Sequence, residues 1–208
     1  LFPGIEVAFR DAGHILGSSI VELWADGRKL VFSGDLGMRN APILRDPVQI
    51  AEADLLLLES TYGNRNHRER DATVRELGEI FEAAWRDGGN VLIPAFAVGR
   101  TQELLYWFAR HWDDWDMSRW RIFLDSPMAS KVVQVYDRHH ALFDAEAREV
   151  WRGTPNPFRL PNLRVTETAE ESMAINRIHG GAIIIAGNGM ASGGRILKRV
   201  NAAMERML

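Results

Sequence analysis

The chain has 208 residues, of which 46% are hydrophobic and 25% are charged, and this balance is typical of a globular protein with a sizeable core. Its formal charge of −3 excludes a basic field over the whole surface, so any recognition of phosphate groups has to be local. The absence of cysteine excludes disulfides and thiolate zinc ligands.

The first 60 residues have the alternating pattern of β-strands. Residues 5–9 predict a first strand, and residues 19–24 and 29–33 predict two more. The last two flank Ala25-Asp26-Gly27-Arg28, in which the Asp-Gly pair favours the positive φ angles of a hairpin turn. The apolar run ADLLLLES, residues 53–60, predicts a strand that is buried on both faces. This part of the chain is therefore expected to form an antiparallel or mixed sheet.

From about residue 70 onwards, the chain alternates between predicted strands and helices. The helices are predicted at 71–87, 98–112 and 128–143, in a short segment capped by Thr168 and Glu171, and after residue 189; the strands are predicted at 90–96, 121–127 and 181–189. Repeated strand–loop–helix units predict a parallel sheet. The change of pattern in the loop 60–70 predicts two domains, at 1–65 and 66–208.

No apolar run reaches the length that spans a membrane, and the first residues lack the pattern of a signal peptide. The sequence also begins without an initiator Met, in a strand-like segment. We therefore expect a soluble, cytoplasmic protein, of which this sequence is a fragment.

Each predicted strand ends in a loop that is rich in small and polar residues. The loops are GHILGSS, SGDLG, ESTYGNRNH, PAFAVGRTQE, LDSPMAS and AGNGMASGG. In α/β proteins, ligands bind beyond the carboxyl ends of the strands, where loop amides and helix N-termini point. The pattern indicates an anion site, although an ordinary surface role for these loops stays open, because most loops are rich in such residues.

His14 and Asp35 are the best candidates for metal ligands. Each follows a predicted strand, and the hairpin between them is expected to bring both to one end of the sheet. Imidazole and carboxylate groups suit zinc or manganese, but a catalytic zinc takes three protein ligands, so two are too few. A turn-capping role stays open for Asp35. Glu59 ends an apolar strand and needs a partner there, with a plain strand-end cap as the alternative.

Arg65, Arg100 and Arg195 each lie in or just after a strand-end loop. A guanidinium group in such a loop can hold a phosphate through two hydrogen bonds, whereas a surface ion pair is the more ordinary role of each arginine. The AGNGMASGG loop has the spacing G-x-G-x-x-x-G, which is a weak signal for a dinucleotide. It leaves a nucleotide-binding α/β domain as a further hypothesis.

Taken together, six segments of the sequence resemble one family. DAGHILGSS, FSGDLG, LLLLESTYGNRNH, VLIPAFAVGRTQELLY, IFLDSPMA and GNGMASGGRILK occur in the order found in metallo-β-lactamase-fold nucleases with a β-CASP domain. This family includes the nuclease subunit of the eukaryotic polyadenylation machinery, ribonuclease J and their bacterial and archaeal relatives, and the chain is most similar to the bacterial members that act on RNA. The resemblance covers nearly the whole chain.

The resemblance implies an α/β fold. Part of a metallo-β-lactamase αββα domain, here its β-rich half, is expected to precede a β-CASP domain with a mainly parallel, Rossmann-like sheet flanked by helices. In the family, the β-CASP domain closes over the edge of the active site, and RNA lies in the cleft between the domains.

The resemblance also implies roles for single residues. His14 matches a ligand of one metal ion, Asp35 matches the carboxylate that bridges two ions, and Glu59 matches an acid that orients a catalytic histidine. The two ions of the family, usually zinc, activate a hydroxide for in-line attack on a phosphodiester and neutralise charge in the transition state. Asp35 and Glu59 are thus the expected catalytic residues, and zinc is the expected cofactor.

Several residues at the strand ends are candidates for binding the RNA backbone. The resemblance implies the first four named below, and the last two arginines are candidates because of their position in strand-end loops. The candidates are Arg100, Ser126, Ser192 and the amides near Gly189, together with Arg65 and Arg195.

Part of the family pattern is missing from the sequence. The H-x-H-x-D-H motif, which supplies most metal ligands, and the two later histidines of the β-CASP domain are absent, and Asn188 stands where the family often has serine. We therefore expect the middle of a ribonuclease, which uses two zinc ions in the whole protein and is inactive in this fragment, where the metal site is incomplete. A non-catalytic β-CASP module that binds RNA or a protein partner is the alternative. RNA is the expected partner, and no association with a membrane is expected. Formation of a homodimer stays open, as does the choice between endonuclease and 5′-exonuclease activity.

Overall fold

The computed structural model describes residues 3–204, and the chain divides into two compact units. The first unit contains the residues up to His67 together with Ala141–Arg148, and the second contains Arg68–His140 and the residues from Glu149 onwards. The domain limits 1–65 and 66–208 stay a prediction, because compactness alone does not identify a domain family. Within residues 3–204, no helix is both long and apolar enough to cross a membrane.

The first unit contains a mixed four-stranded sheet. Its strands are β1 (Ile5–Asp11), β2 (Ser19–Ala25), β3 (Arg28–Phe32) and β4 (Leu55–Leu57), in the order β1-β2-β3-β4. The first three strands pair antiparallel, and β4 pairs parallel to β3. The turn between β2 and β3 has φ angles of 50° at Asp26 and 70° at Gly27, as the Asp-Gly signal predicts.

The prediction that residues 53–60 form a strand buried on both faces is wrong in its burial. The strand covers Leu55–Leu57, and the side chains of Leu55 to Leu58 are between 47% and 61% exposed. Successive residues of a strand point to opposite faces, so the exposure of all of them shows that both faces of β4 are largely uncovered among the described residues. An apolar run indicates burial only where other elements cover both faces of the strand.

The second unit contains a parallel sheet. Its strands are β5 (Val91–Pro94), β6 (Arg121–Asp125), β7 (Leu163–Val165) and β8 (Ala182–Ala186), in the order β5-β8-β6-β7, and each pair is parallel. The chain's α-helices are α1 (Arg70–Arg86), α2 (Arg100–Arg110), α3 (Pro127–Arg138), α4 (Ala145–Arg152, which begins in the first unit), α5 (Ala169–Ala174) and α6 (Gly194–Met204). The predicted α/β class and parallel sheet are confirmed.

The register of the parallel sheet brings three loops to one edge. Pro94 at the end of β5 and Asp125 at the end of β6 are both register partners of Ala186 at the end of β8. The segments that follow these strands therefore leave the sheet side by side. They hold most of the residues that the sequence predicts to bind phosphate.

Asp125 is fully buried and accepts hydrogen bonds from four side chains. One carboxylate oxygen accepts from the Thr166 hydroxyl at 2.7 Å and from Arg195 Nη1 at 2.9 Å. The other accepts from the Ser172 hydroxyl at 3.1 Å and from Arg199 Nη2 at 2.6 Å. Since both arginines belong to α6, this network fastens α6 to the end of β6.

The network determines how Asp125 titrates. Burial would raise the pKa of Asp125, but the hydrogen bonds from Thr166 and Arg199 and the charge of Arg199 outweigh burial and hold the pKa below its usual value of 3.8. Because the folded state favours the ionised form, Asp125 stabilises the fold above that pH. This stabilisation is lost as the pH falls through the lower pKa of the folded state.

We expect Asp125→Asn to destabilise the second unit by about 3–5 kcal/mol at pH 7, because it leaves the buried guanidinium of Arg199 without a counter-charge. The control is Asp113→Asn at an exposed position. Urea unfolding at pH 7 and at pH 3 gives the measurement, and the difference between Asp125→Asn and wild type should shrink at the lower pH. A loss below about 1 kcal/mol at pH 7, no more than a surface ion pair contributes, would contradict the network's role.

Candidate functional site

The loops that carry His14 and Asp35 meet through two glycine backbones. The Gly37 amide donates to the Ala12 carbonyl at 2.8 Å, and a Cβ atom on Gly37 would lie only 1.7 Å from the Gly13 carbonyl oxygen. Gly13 itself has a φ of +66°. Any side chain at residue 37 would therefore separate the two loops.

His14 and Asp35 consequently face each other. The distance from His14 Nε2 to Asp35 Oδ2 is 3.9 Å, and the side chains are 45% and 74% exposed. Two ligands that each lie about 2.1 Å from a tetrahedral zinc are roughly 3.4 Å apart, so a small rotation allows this pair to share one ion. The imidazole and carboxylate groups are also the donors that zinc and manganese accept. The predicted pairing of these two residues is thus present in the fold.

The two side chains are fewer than the protein ligands that a catalytic zinc ion needs. Among residues 3–204, no group of three or more His, Asp or Glu side chains is placed to hold a metal ion. His14 and Asp35 fit a metal site as two of its ligands, and a catalytic zinc takes at least three from the protein. The described residues therefore offer two of the three protein ligands that such a zinc would need, and metal binding by His14 and Asp35 stays a prediction.

Glu59 fixes the loop that carries Asp35. One carboxylate oxygen of Glu59 accepts from the Leu36 amide at 2.5 Å, and the other accepts from the Thr61 hydroxyl at 2.5 Å. The Glu59 amide donates to the hydroxyl of the buried Ser33 at 3.0 Å. Glu59 thus joins the end of β4 to both sides of Asp35.

The same contacts keep Glu59 ionised. The Thr61 hydroxyl, followed by the Leu36 amide, lowers the pKa of Glu59 below its usual value of 4.5. An ionised carboxylate is purely an acceptor, which suits its position between two donors. The predicted role of Glu59 in orienting a catalytic histidine stays a prediction.

Three candidates for phosphate binding in the second unit lie at the loop edge of the parallel sheet. Arg100 begins α2, its side chain is 61% exposed, and its Nη1 lies 2.6 Å from Glu103 Oε2. Ser126 caps α3 by accepting from the Ala129 amide at 3.3 Å, and the Ser192 hydroxyl accepts from Asn188 Nδ2 at 3.2 Å. The geometry favours the ion pair that the sequence leaves open for Arg100, while phosphate binding by all three residues stays a prediction.

The other two arginines differ in what they contact. Arg195 is held by Asp125 and by the Thr166 hydroxyl at 3.2 Å, which favours a role in the scaffold. Arg65 lies in the first unit, with Nε 3.4 Å from Asn64 Oδ1 and its guanidinium carbon 5.7 Å from the centre of the Tyr62 ring. Arg65 is exposed, so its predicted phosphate contact stays open.

Sequence reasoning missed three residues that shape this edge. Asp125 and Arg199 form the buried ion pair that holds α6, and Phe96, in the loop after β5, is 54% exposed. The one signal in the sequence for Phe96 is a large aromatic residue within the otherwise small and polar loop PAFAVGRTQE. Nothing local marks Asp125 as the partner of a residue 74 positions later.

Comparison with known proteins identifies relatives that match nearly the whole chain. The family model of the Beta-Casp domain matches residues 101–206. The chain is 46% identical to "Ribonuclease TTHA0252" of Thermus thermophilus over 201 residues, which cover 97% of this chain and 46% of that protein. It is 30% identical to the "RNase J-like protein" of Methanocaldococcus jannaschii over 197 residues, which cover 93% of this chain and 45% of the relative.

A more distant relative is the "Cleavage and polyadenylation specificity factor 73" of Drosophila melanogaster. It is 29% identical over 195 residues, which cover 92% of this chain and 28% of that protein. The chain thus spans less than half of the length of each of these three relatives.

We expect the 208-residue chain to retain no stoichiometric zinc, because it offers two ligands where a tight catalytic site needs three. Metal analysis of the purified chain after dialysis against zinc-free buffer gives the measurement. The double variant His14→Ala/Asp35→Ala is the matched control for zinc bound elsewhere. One zinc per chain that survives dialysis and is lost in the control would show that the site is complete.

Proposed function

The chain belongs to the β-CASP family of metallo-β-lactamase-fold nucleases, and we propose on this premise that it forms part of a metal-dependent hydrolase of RNA phosphodiester bonds. The observation that carries the proposal is the 3.9 Å approach of His14 Nε2 and Asp35 Oδ2, outside the matched β-CASP segment. Relatives that match more than nine-tenths of this chain are named as ribonucleases, which supports RNA as the substrate.

At the metal centre, the proposed role of this chain is to supply and orient side chains that bind the metal. His14 and Asp35 would hold the metal, and zinc is the ion that we propose. Metal ions at such a centre supply Lewis-acid catalysis and neutralise the charge that develops on the phosphate. Glu59 acts through the loop, since its bond to the Leu36 amide keeps the neighbouring Asp35 in place.

The second unit is proposed to bind the backbone of RNA. The Arg100 side chain, the loop amides near Gly189 and the hydroxyls of Ser126 and Ser192 provide positive charge and hydrogen-bond donors at one edge of the sheet. Such contacts position a nucleic acid without reading its sequence. A cytoplasmic location is part of this proposal, and self-association stays open.

A non-catalytic module that binds RNA is the second candidate function. It is favoured by the ligand count, because the described residues contain no group of three metal-binding side chains. The two candidates differ in whether Asp35 matters for cleavage, which the next prediction tests.

Asp35→Asn in the whole protein should reduce hydrolysis of single-stranded RNA by about 100-fold or more, the order lost when one electrostatic stabiliser of a transition state is removed. RNA binding should persist, because the phosphate contacts lie on other residues. The control is Asp26→Asn, which removes another exposed carboxylate, from the hairpin turn. Turnover above a few per cent of wild type, at unchanged protein stability, would contradict the metal-dependent mechanism.

Arg100→Ala should weaken the binding of unrelated RNA sequences equally and make the slope of log K against log salt smaller by roughly 0.7, the value for one contact to a single strand. If Arg100 binds phosphate, Glu103→Gln should leave binding intact or strengthen it, because it frees the guanidinium from its 2.6 Å ion pair. Affinities for two RNA sequences at three salt concentrations give the measurement, with Arg28→Ala as an exposed control. An unchanged slope and affinity for Arg100→Ala would assign Arg100 to the scaffold.

A further inference from the structure

A large apolar side chain is exposed just beyond the end of each of the strands β5, β6 and β8, in the loops after β5 and β8 and in the first turn of α3 after β6. Phe96 is 54% exposed, Met128 is 64% exposed and Met190 is 73% exposed. Because the three strands are parallel and end in register, these side chains lie in neighbouring segments at one edge of the sheet. This edge therefore combines apolar groups with the polar candidates for phosphate binding.

The loop that carries Phe96 is held by two buried polar side chains. The Phe96 carbonyl accepts from the Thr101 hydroxyl at 2.8 Å. The Gln102 side chain donates to the Ala97 carbonyl at 3.1 Å and accepts from the Gly99 amide at 2.8 Å. Thr101 and Gln102 are 1% and 0% exposed. The backbone around the exposed Phe96 ring is thus held by hydrogen bonds to two buried side chains.

Gly189 fixes the ring itself. A Cβ atom on Gly189 would lie 2.7 Å, 2.9 Å and 3.0 Å from three carbon atoms of the Phe96 ring. The ring therefore packs directly on the backbone of the loop after β8, where a side chain would displace it. One part of the ring is in contact with Gly189, and the rest stays open to a ligand.

We propose that Phe96 is a stacking platform for a nucleobase of single-stranded RNA. The inference rests on the proposed function. It places one base of the bound RNA on the Phe96 ring, beside the proposed phosphate contacts. An aromatic ring stacks on any base, because every base has a π-face. The proposed phosphate contacts, Arg100, Ser126 and Ser192, follow the same strand ends and would meet the charged backbone of the same nucleotide chain. A nucleotide combines the π-face of its base with an anionic backbone, so its chemistry fits an edge of this kind.

The test uses fluorescence anisotropy with two labelled oligomers of equal length and charge: an oligouridylate, and the same ribose-phosphate chain without bases. Phe96→Leu should weaken binding of the oligouridylate by about 5- to 150-fold, the range expected when one stacked base is lost. It should leave binding of the abasic oligomer and the salt slope unchanged. Phe96→Trp should restore binding, and Val98→Ala, in the same loop, is the matched control.

Crosslinking gives a second measurement on the wild-type chain, so that the test does not depend on how a variant folds. Oligouridylate with 5-iodouridine should crosslink on irradiation to the peptide that contains Phe96, as mass spectrometry of the digest would show. Crosslinks confined to other peptides would overturn the inference.

The outcomes separate this inference from the proposed function. Wild-type protein that binds RNA in a salt-dependent manner, with Phe96→Leu binding equally well, overturns the stacking platform alone. An equal loss for both oligomers also overturns it, because the variant then acts through the loop and not through a base. Wild-type protein that binds neither oligomer overturns the proposed function, and the platform falls with it.

Discussion

The distance between the candidate metal ligands depends on the contact between the backbones of Gly13 and Gly37. His14 and Asp35 are both exposed, so neither side chain is held by packing. Their positions come instead from two loops that touch where a Cβ atom has no room. Glu59 completes this arrangement by accepting from the Leu36 amide, next to Asp35. In the first unit, backbone contacts thus determine the positions of His14 and Asp35, while both side chains remain accessible to a ligand.

In the second unit, buried polar side chains hold the loops that carry the candidate RNA-binding residues. Asp125 and Arg199 fasten α6, whose first residue follows the loop 187–193, and Gln102 fastens the loop that carries Phe96. These polar groups are buried with their partners, and a buried polar or charged group without a partner is costly, which disfavours arrangements of the loops that break these contacts. A rigid edge of this kind suits the binding of a flexible single strand, because the protein loses little conformational freedom on binding.

Local patterns in the sequence were sufficient for much of this architecture. The Asp26-Gly27 turn and the Thr168–Glu171 capping box are signals within a few residues, and both are present in the structure. The alternation of strands and helices after residue 70 likewise predicted the parallel sheet. The pairing of His14 with Asp35 was accessible because one hairpin separates them.

Other features depend on residues that are distant in the sequence. The exposure of Leu55–Leu57 depends on which elements cover the two faces of β4, and no local pattern in the sequence reveals that. Asp125 ends β6 directly before Ser126, a candidate for phosphate binding, and its arginine partners become evident only when α6 is packed on the sheet. The end of α3 at Arg138, before the predicted residue 143, also follows no strong local stop signal.

The most direct test of the account is anomalous X-ray diffraction from crystals of the whole protein grown with zinc or manganese. The account predicts a metal ion bonded to both His14 Nε2 and a carboxylate oxygen of Asp35, at about 2.0–2.2 Å from each atom. Metal ions bound elsewhere, with His14 and Asp35 both outside the coordination sphere, would contradict the claim that this pair forms part of the hydrolytic centre.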